Sequence, residues 1–414
     1  MDEEKTNEIV EKILSGDVKI HKLAEILNNE SDAAEVRRRY LERLYSARFD
    51  AIRNAAEKIN LDDIAKRNTE NLIGAVQVPL GFVELIVNNK KYPVFMATTE
   101  GRIVAGVNRG ASAINKSGGA KTAIINNNMT RSVIIETDGA QQSLEASRYL
   151  NSNEGRELLK NEYSKITSHG SMLDVDVYPI GRLLFVRYSA DTAAAMGMNM
   201  VTIASTNITK ALIDKFAERG INMRMISESG NMCTDKKPAM INIIKGRGVS
   251  VVAEAVIKKE VIEQYFNVDA EAIREINYAK NYIGSSLAGS LGHNAHIANI
   301  LASTFIAYGQ DIAQIVDGVN AFDDVKAMDN GDLYISVYLP ALEVGTFGGG
   351  TIREAQSELL KASGVYGADD DKGVTKQRLA ELIASTALAG ELNLLAAEAG
   401  NELSSAHASI KRGK

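Results

Sequence analysis

The most informative stretch of this 414-residue chain is Gly230-Asn231-Met232-Cys233-Thr234-Asp235-Lys236-Lys237-Pro238. Glycine and asparagine favour loops, so the charged residues that follow them are predicted to lie on a turn. Taken alone, two lysines beside an aspartate are typical of a solvated surface turn. Within a pocket, one lysine could instead stabilise a developing oxyanion while the aspartate tunes its charge.

Composition indicates a packed protein with more than one domain. The chain is 45% hydrophobic and 24% charged, and 414 residues exceed what one ordinary core accommodates. The net charge of -6 argues against a chain-wide nucleic-acid-binding surface. Because Cys233 is the single cysteine, no intrachain disulfide can form, which favours a reducing, cytoplasmic compartment. The N-terminal residues 1–5 lack the features of a signal peptide.

Residues 281–310 contain no Asp, Glu, Lys or Arg and could be mistaken for a membrane span. The stretch carries many Asn, Ser and His side chains, which a bilayer would leave without partners. We therefore predict a buried helix near a polar site, and no membrane partner.

Hydrophobic periodicity predicts helices up to about residue 69, including one amphipathic helix over residues 33–59. In that helix, the run Arg37-Arg38-Arg39 favours a solvated face over a binding patch. The pattern then changes to mixed strands and helices, with a small α/β unit predicted over residues 132–228.

Common cofactor motifs are missing from the sequence, which contains neither G-x-G-x-x-G nor a Walker A motif. His293 and His296 are three residues apart without an H-E-x-x-H pattern, so polar histidines near a pocket are favoured over a zinc site. No metal site is predicted. Sequence spacing alone does not join Glu100, Asp311 and His407 to the lysine turn.

Seven short motifs, in one order, resemble those of class I HMG-CoA reductases of the soluble archaeal type. In this chain they are Glu70-Asn71-Leu72-Ile73-Gly74, Ala97-Thr98-Thr99-Glu100-Gly101, Met196-Gly197-Met198-Asn199-Met200, Gly230 to Asn242, Asn294 to Asn299, Gly309-Gln310-Asp311, and Gly345 to Thr351. The resemblance implies an oxidoreductase that reduces HMG-CoA to mevalonate and CoA with two NADPH, on the route to isoprenoids.

The resemblance also implies roles for four catalytic residues. Lys236 would stabilise the oxyanion as the thioester is reduced, and Asp311 would hold Lys236 and Glu100 in one proton network. Glu100 would protonate the aldehyde oxygen, which requires a raised pKa. His407 would protonate the departing CoA thiolate, a task that suits the near-neutral titration of histidine.

Two further sets of residues match binding positions of the family. The substrate-binding set is Asn108, Arg109, Arg131, Ser229, Asp235, Lys237, Lys280, His296 and Asn299. The cofactor-binding set is Met196, Gly197, Met198, Asn199, Met200, Gly348 and Gly349.

The implied fold is α+β and multidomain. It comprises a helical N-terminal domain over residues 1–69 and a large α/β HMG-CoA-binding domain over residues 70–131 plus 229–414. A small non-Rossmann, ferredoxin-like NADP(H)-binding domain is inserted at 132–228, and a C-terminal flap covers about 394–414. The resemblance implies a homo-oligomer with its active site between subunits, and leaves dimer and tetramer open.

The sequence departs from the family pattern at several positions. Glu84 and Leu85 stand where Gly and Pro are usual, Ala194 replaces an Asp, and Gly106 replaces a Ser. These changes leave two alternatives open: a weakly active or inactive paralogue that binds CoA esters or a protein partner, and a reductase of another acyl-CoA. The choice between NADPH and NADH also stays open.

Overall fold

The computed structural model describes residues 1–400 and divides into two compact units. The first unit is Met1–Pro79, and the second begins at Leu80. Mixed α/β structure with antiparallel sheets is found, which confirms the coarse fold class expected from the sequence.

The first unit is helical, as its periodicity predicts. Its helices are α1 (Glu3–Leu14), α2 (Leu23–Leu27), α3 (Glu30–Tyr45), α4 (Asp50–Ala56) and α5 (Leu61–Arg67), with a 3-10 turn at Ile20–Lys22. The single helix predicted over residues 33–59 is wrong, because the helix ends before Ser46, whose φ of 52° is left-handed. A residue in that conformation ends a helix, so the amphipathic pattern continues across a break that periodicity cannot detect.

The prediction that Arg37-Arg38-Arg39 forms a solvated face is also wrong for two of its three residues. Arg37 and Arg38 are only 3% and 4% exposed. Arg37 pairs with the buried Glu30 and donates to the backbone oxygen of Leu72 at 3.0 Å. Both guanidinium groups form ion pairs with glutamates and donate hydrogen bonds to backbone carbonyls of a loop. A run of arginines in the sequence does not show these partners.

The second unit is built on antiparallel strands. They are β1 (Leu80–Val87), β2 (Lys90–Ala97), β3 (Lys121–Thr137), β4 (Ser171–Ile180), β5 (Leu183–Asp191), β6 (Met223–Ser227), β7 (Gly248–Ile257), β8 (Phe322–Ala327) and β9 (Leu333–Leu342). Strands β1 and β2 form a hairpin, and the larger sheet has the order β4-β5-β3-β7-β9-β8, with β6 also paired to β3.

Strand β3 changes partners along its length. Residues 121–128 pair with β7, whereas residues 129–137 pair with β5 and β6. A separate hydrophobic cluster covers this second half and draws its buried members from Met129 to Phe216. The predicted boundary at residues 131 and 132 therefore lies inside one continuous strand, near the point where its partner changes.

Helices cover the sheet and fill the larger core. They are α6 (Ile103–Lys116), α7 (Ala140–Leu150), α8 (Asn153–Ser164), α9 (Met198–Ala217), α10 (Met240–Lys245), α11 (Lys259–Phe266), α12 (Ala270–Ile276), a π-helix (Asn277–Gly284), α13 (Ser285–Ala288), α14 (Ile297–Tyr308), α15 (Ile315–Gly318), α16 (Glu354–Ala362) and α17 (Val374–Ala399), with 3-10 turns at Ile312–Gln314 and Gly349–Ile352.

Helix α17 is the central core helix of the second unit. It is the one helix of residues 1–400 that is long and apolar enough to cross a membrane, but 83% of its apolar window is buried inside the protein. A core helix passes the same test of length and composition.

The buried helix predicted within residues 281–310 is α14; the residues before it form the π-helix, α13 and a loop. The predicted flap begins inside α17.

Candidate active site

The loop that carries Asp235 and Lys236 is held in a strained backbone conformation. Asn231, Thr234 and Lys236 have φ values of 58°, 53° and 59°, which residues other than glycine rarely adopt. The backbone N–H of Lys236 donates to the Asp317 carboxylate at 2.9 Å. Strain of this kind persists when the surroundings fix the chain, and it is concentrated at functional sites.

Lys236 and Asp311, which are 75 positions apart in sequence, form an ion pair. Lys236 Nζ lies 2.8 Å from Asp311 Oδ2, and both side chains are partly exposed, at 43% and 36%. The hydrogen bond with Asp311 is the main reason that the pKa of Lys236 is raised. Lys236 is therefore a cation with access to solvent, suited to stabilise negative charge on a ligand.

Asp235 points the other way, into the protein. It accepts from Gln314 Nε2 at 3.0 Å and from Arg247 Nη2 at 3.1 Å. Burial alone would raise the pKa of Asp235, but these two partners outweigh it and lower the pKa. Arg131 lies 3.7 Å from the other carboxylate oxygen. Asp235 is thus an ionised anchor of the loop.

Arg247 is a buried hub that sequence reasoning missed. Its side chain is 0% exposed and contacts Asp235, Asp317 and Glu343. It also donates to Met198 Sδ at 3.1 Å, so it links the lysine loop to the first turn of α9. The available signal was weak: an arginine between Gly246 and Gly248, at the start of a buried strand.

Glu100 is not bonded to the Lys236–Asp311 ion pair. It is exposed between β2 and α6, and its backbone N–H donates to Thr98 Oγ1 at 3.0 Å. Within residues 1–400 no hydrogen bond or ion pair joins the Glu100 side chain to Lys236 or Asp311. The chain therefore brings Lys236 and Asp311 together, but not Glu100.

The substrate-binding candidates fall into three groups. The first group is at the loop of residues 230–238, which contains Lys237 and directly follows Ser229. Arg131 Nε donates to Glu228 O at 3.2 Å, and Lys237 Nζ donates to Asp235 O at 2.9 Å. Ser229 N–H donates to Ser227 Oγ at 3.1 Å.

A second group lies on α6. Asn108 is exposed, whereas Arg109 donates twice to the backbone oxygen of Tyr265, at 2.9 and 2.7 Å, and lies over the Phe266 ring. These contacts fix Arg109 against α11.

The third group surrounds the C-terminal half of α17. Lys280 pairs with Glu398, and His296 Nε2 lies 2.9 Å from Gly390 O. The backbone N–H of His296 donates to the buried Glu391 at 2.8 Å, and Asn299 N–H donates to His296 O at 2.9 Å. These backbone bonds fix the start of α14.

The cofactor-binding candidates lie together although the sequence separates them. Thr346 N–H donates to Ala194 O at 2.8 Å, so the Gly-rich loop, residues 345–351, packs directly against the segment before Met196. A methyl group added at Gly345 would lie 2.4 Å from Met196 N, which leaves room only for glycine. Gly348 and Gly349 face open space.

The first turn of α9 completes this group. Met196, Met198 and Met200 pack on the hydrophobic cluster whose buried members run from Met129 to Phe216, whereas Asn199 is exposed. Gly197 precedes the helix with a φ of 89°. The N-terminal backbone N–H groups of a helix bind anions well, so this arrangement fits a phosphate-bearing cofactor.

Lys376 is a second residue that sequence reasoning missed. It is 3% exposed on α17, and its Nζ donates to Thr192 Oγ1 at 3.1 Å and Ala195 O at 3.4 Å. Burial lowers its pKa to about 8. This lysine therefore braces the loop that contains Ala194, where the family usually has an aspartate.

Two other departures have local structural reasons. Leu85 is fully buried in the regular strand β1, so no Gly-Pro turn forms there. At Gly106, an added methyl group would lie 2.8 Å from Asn393 Nδ2, so a larger residue would require the asparagine to move.

Two predictions remain, one about His407 and one about metal binding. His407, the predicted proton donor to the thiolate, lies outside the described residues. Within residues 1–400, no group of three or more His, Cys, Asp or Glu side chains could hold a metal ion.

Comparison with known proteins identifies the family. The sequence profile described as hydroxymethylglutaryl-coenzyme A reductase matches residues 33–412. The chain belongs to the hydroxymethylglutaryl-coenzyme A reductase family. It is 40% identical over 411 residues to the 3-hydroxy-3-methylglutaryl-coenzyme A reductase of Pyrococcus abyssi, covering 98% of this chain and 99% of that one. The corresponding reductase of Methanocaldococcus jannaschii is 39% identical, covering 99% and 100%.

A solved structure has a similar fold. It is the class II 3-hydroxy-3-methylglutaryl-CoA reductase of Streptococcus pneumoniae, bound to NADPH in open conformations. The TM-score is 0.64 at 18% identity, and the match covers 92% of this chain and 100% of that chain. The family predicted from the ordered motifs is confirmed by the sequence profile and the archaeal relatives.

Proposed function

We propose that the chain reduces 3-hydroxy-3-methylglutaryl-CoA to mevalonate and CoA, consuming two NADPH and two protons, in the mevalonate route to isoprenoids. The observation that carries this proposal is the Lys236–Asp311 ion pair on a strained loop, in a chain of this reductase family. The charge and exposure of Lys236 suit the oxyanion that forms when a thioester carbonyl is reduced.

The proposed roles of the catalytic residues follow from their chemistry. Lys236, whose pKa Asp311 keeps raised, stays protonated and stabilises the oxyanion without giving up its proton. After the carbon–sulfur bond breaks, His407 protonates the CoA thiolate. Glu100 protonates the oxygen of the aldehyde in the second reduction. Arg131 and Lys280 offer positive charge to the free carboxylate of the substrate.

The proposed NADPH site combines the first turn of α9 with the Gly-rich loop. Met196 to Met200 and the glycines at 348 and 349 would hold the cofactor, which when bound supplies hydride. Supporting this, the two loops are in direct contact, and Gly348 and Gly349 leave the backbone open to a ligand. Lys376 would keep the Ala194 segment in place behind the cofactor.

The domain division and assembly are part of the same proposal. Residues 1–69 would form the helical domain, 132–228 the ferredoxin-like cofactor domain, and the remainder the substrate domain with its flap at about 394–414. We also propose a homo-oligomer, because Glu100 does not contact the Lys236–Asp311 pair within one chain and could reach it from a partner. A cytoplasmic location stays a prediction.

An assay of NADPH oxidation tests the function directly. We expect turnover with HMG-CoA and formation of mevalonate and CoA, and a loss of at least about 100-fold in kcat for Lys236→Ala, as for removal of one oxyanion donor. Lys237→Ala is the matched control and should mainly raise KM. Binding of both ligands without turnover would instead support the inactive paralogue, and preference for another acyl-CoA would support a reductase of that substrate. Running the assay with NADH decides the cofactor.

A further inference from the structure

The backbone of Lys236 depends on a residue outside the proposed catalytic set. With a φ of 59°, Lys236 occupies a conformation that costs free energy for any residue with a β-carbon. The Asp317 carboxylate accepts the Lys236 backbone N–H at 2.9 Å. The side chain of Lys236 reaches Asp311 at 2.8 Å, so backbone and amine are each held by an aspartate.

Asp317 is itself fixed from several sides. It is fully buried on the short helix α15, and its other oxygen accepts from Asn242 Nδ2 at 3.2 Å. Arg247 Nη1 lies 3.4 Å from the oxygen that binds Lys236. Because Asp317 is 0% exposed, it is shielded from solvent and acts on the site through the residues that it binds, Lys236 and Arg247.

Asp317 belongs to a cluster of charged residues around Arg247. Arg247 contacts the carboxylates of Asp235, Asp317 and Glu343. Lys236 is the second cation beside Asp317. Burial raises the pKa of Glu343 well above its ordinary range, although Arg247 acts in the opposite direction. Asp235 belongs to the loop and Asp317 binds its backbone, so both carboxylates connect the loop to Arg247.

We propose that Asp317, fixed by Arg247, is a positioning residue that holds Lys236 in its left-handed conformation and so directs its amine to Asp311 and the substrate. This inference rests on the proposed role of Lys236. It goes beyond the four catalytic candidates by adding a buried residue that touches neither substrate nor cofactor.

The test compares Asp317→Ala with Asp317→Asn. We expect kcat to fall about 30-fold in Asp317→Ala, the rate equivalent of losing one hydrogen bond to a charged group, about 2 kcal/mol. Asp317→Asn keeps an oxygen that can accept the Lys236 N–H, so it should recover part of that loss. KM for HMG-CoA and NADPH should change less than kcat, because Asp317 does not contact either ligand.

Glu30→Gln is the matched control, since Glu30 is another buried carboxylate paired with a buried arginine, in the first unit. It should leave kcat unchanged. Equal loss of kcat in Glu30→Gln and Asp317→Ala, or wild-type kcat in Asp317→Ala, would overturn the inference.

Hydrogen–deuterium exchange gives a readout that does not depend on turnover. The peptide covering residues 230–239 should exchange faster in both Asp317 variants than in the wild type, while Glu30→Gln should match the wild type there. Unchanged exchange in Asp317→Ala would refute the positioning role. A wild-type chain that does not reduce HMG-CoA would refute the proposed function, and the exchange result would still decide the role of Asp317.

Discussion

The Asp317 carboxyl group is buried beside Arg247, and its pKa is raised to about 6, because burial disfavours the charged form more than Arg247 favours it. Asp235, Lys236 and Glu343 are the other ionisable groups close to it. A group with a raised pKa binds its proton more tightly in the folded state than in the unfolded state.

The pH dependence of stability follows from that sign. Acidification from pH 7 protonates Asp317 in the folded chain before it does so in the unfolded chain, so this group's contribution to stability grows between about pH 6 and 4. It is lost again as the pH rises through about 6. Melting temperatures should show the wild type gaining relative to Asp317→Asn between about pH 7 and 4.5. If the melting temperatures of the wild type and Asp317→Asn changed equally with pH, the raised pKa of Asp317 would be contradicted.

At the scale of elements, the contact of α6 with α17 depends on small residues. A methyl group added at Gly110 would lie 1.9 Å from the backbone oxygen of Ala389, which cannot move without displacing α17. Helices that approach this closely leave no space for a β-carbon, so the backbones themselves are in contact.

Gly110→Ala should therefore destabilise the chain despite the better helix propensity of alanine. Overpacking of this kind typically costs about 1–3 kcal/mol, whereas propensity alone would gain about 1 kcal/mol. Urea denaturation should give a lower midpoint than the wild type. Ala105→Ser, at an exposed position of the same helix, is the control and should change stability by about 0.5 kcal/mol or less. A stabilised Gly110→Ala would show that the helices can separate.

At the scale of the whole molecule, the lack of a hydrogen bond or ion pair between Glu100 and the Lys236–Asp311 pair within one chain bears on assembly. If the active site lies between subunits, each site needs Glu100 from one subunit and Lys236 from another. Two inactive variants would then supply complementary halves of one site.

Mixing Lys236→Ala with Glu100→Gln after subunit exchange should restore activity. In a randomly mixed dimer, half the molecules are heterodimers with one intact site of two, so about a quarter of wild-type activity is expected. Mixing without exchange is the control. No recovery, with heterodimers demonstrated by mass spectrometry, would place both residues in one subunit's site.

Much of the candidate site could be proposed from the sequence because its residues lie in short motifs. The motif order identified the family, and the lysine loop, the Gly-rich loop and the Met196 segment were all recognised from local sequence. Arg247, Asp317 and Lys376 were not, because each is a single charged residue whose partners come from distant parts of the chain. Arg37 and Arg38 were misread for a related reason: a run of charges does not show which residues become buried.

The sequence by itself determined the family, the coarse α/β class and the identity of the candidate catalytic residues, since these depend on residue types in a fixed order. Only the tertiary structure decided that Lys236 pairs with Asp311, that its backbone is held by Asp317, and that Glu100 bonds to neither Lys236 nor Asp311 within one chain. Those relations join positions up to 81 residues apart for Lys236 and Asp317. Burial and distance, which set pKa values and contacts, arise when the strands and helices pack together.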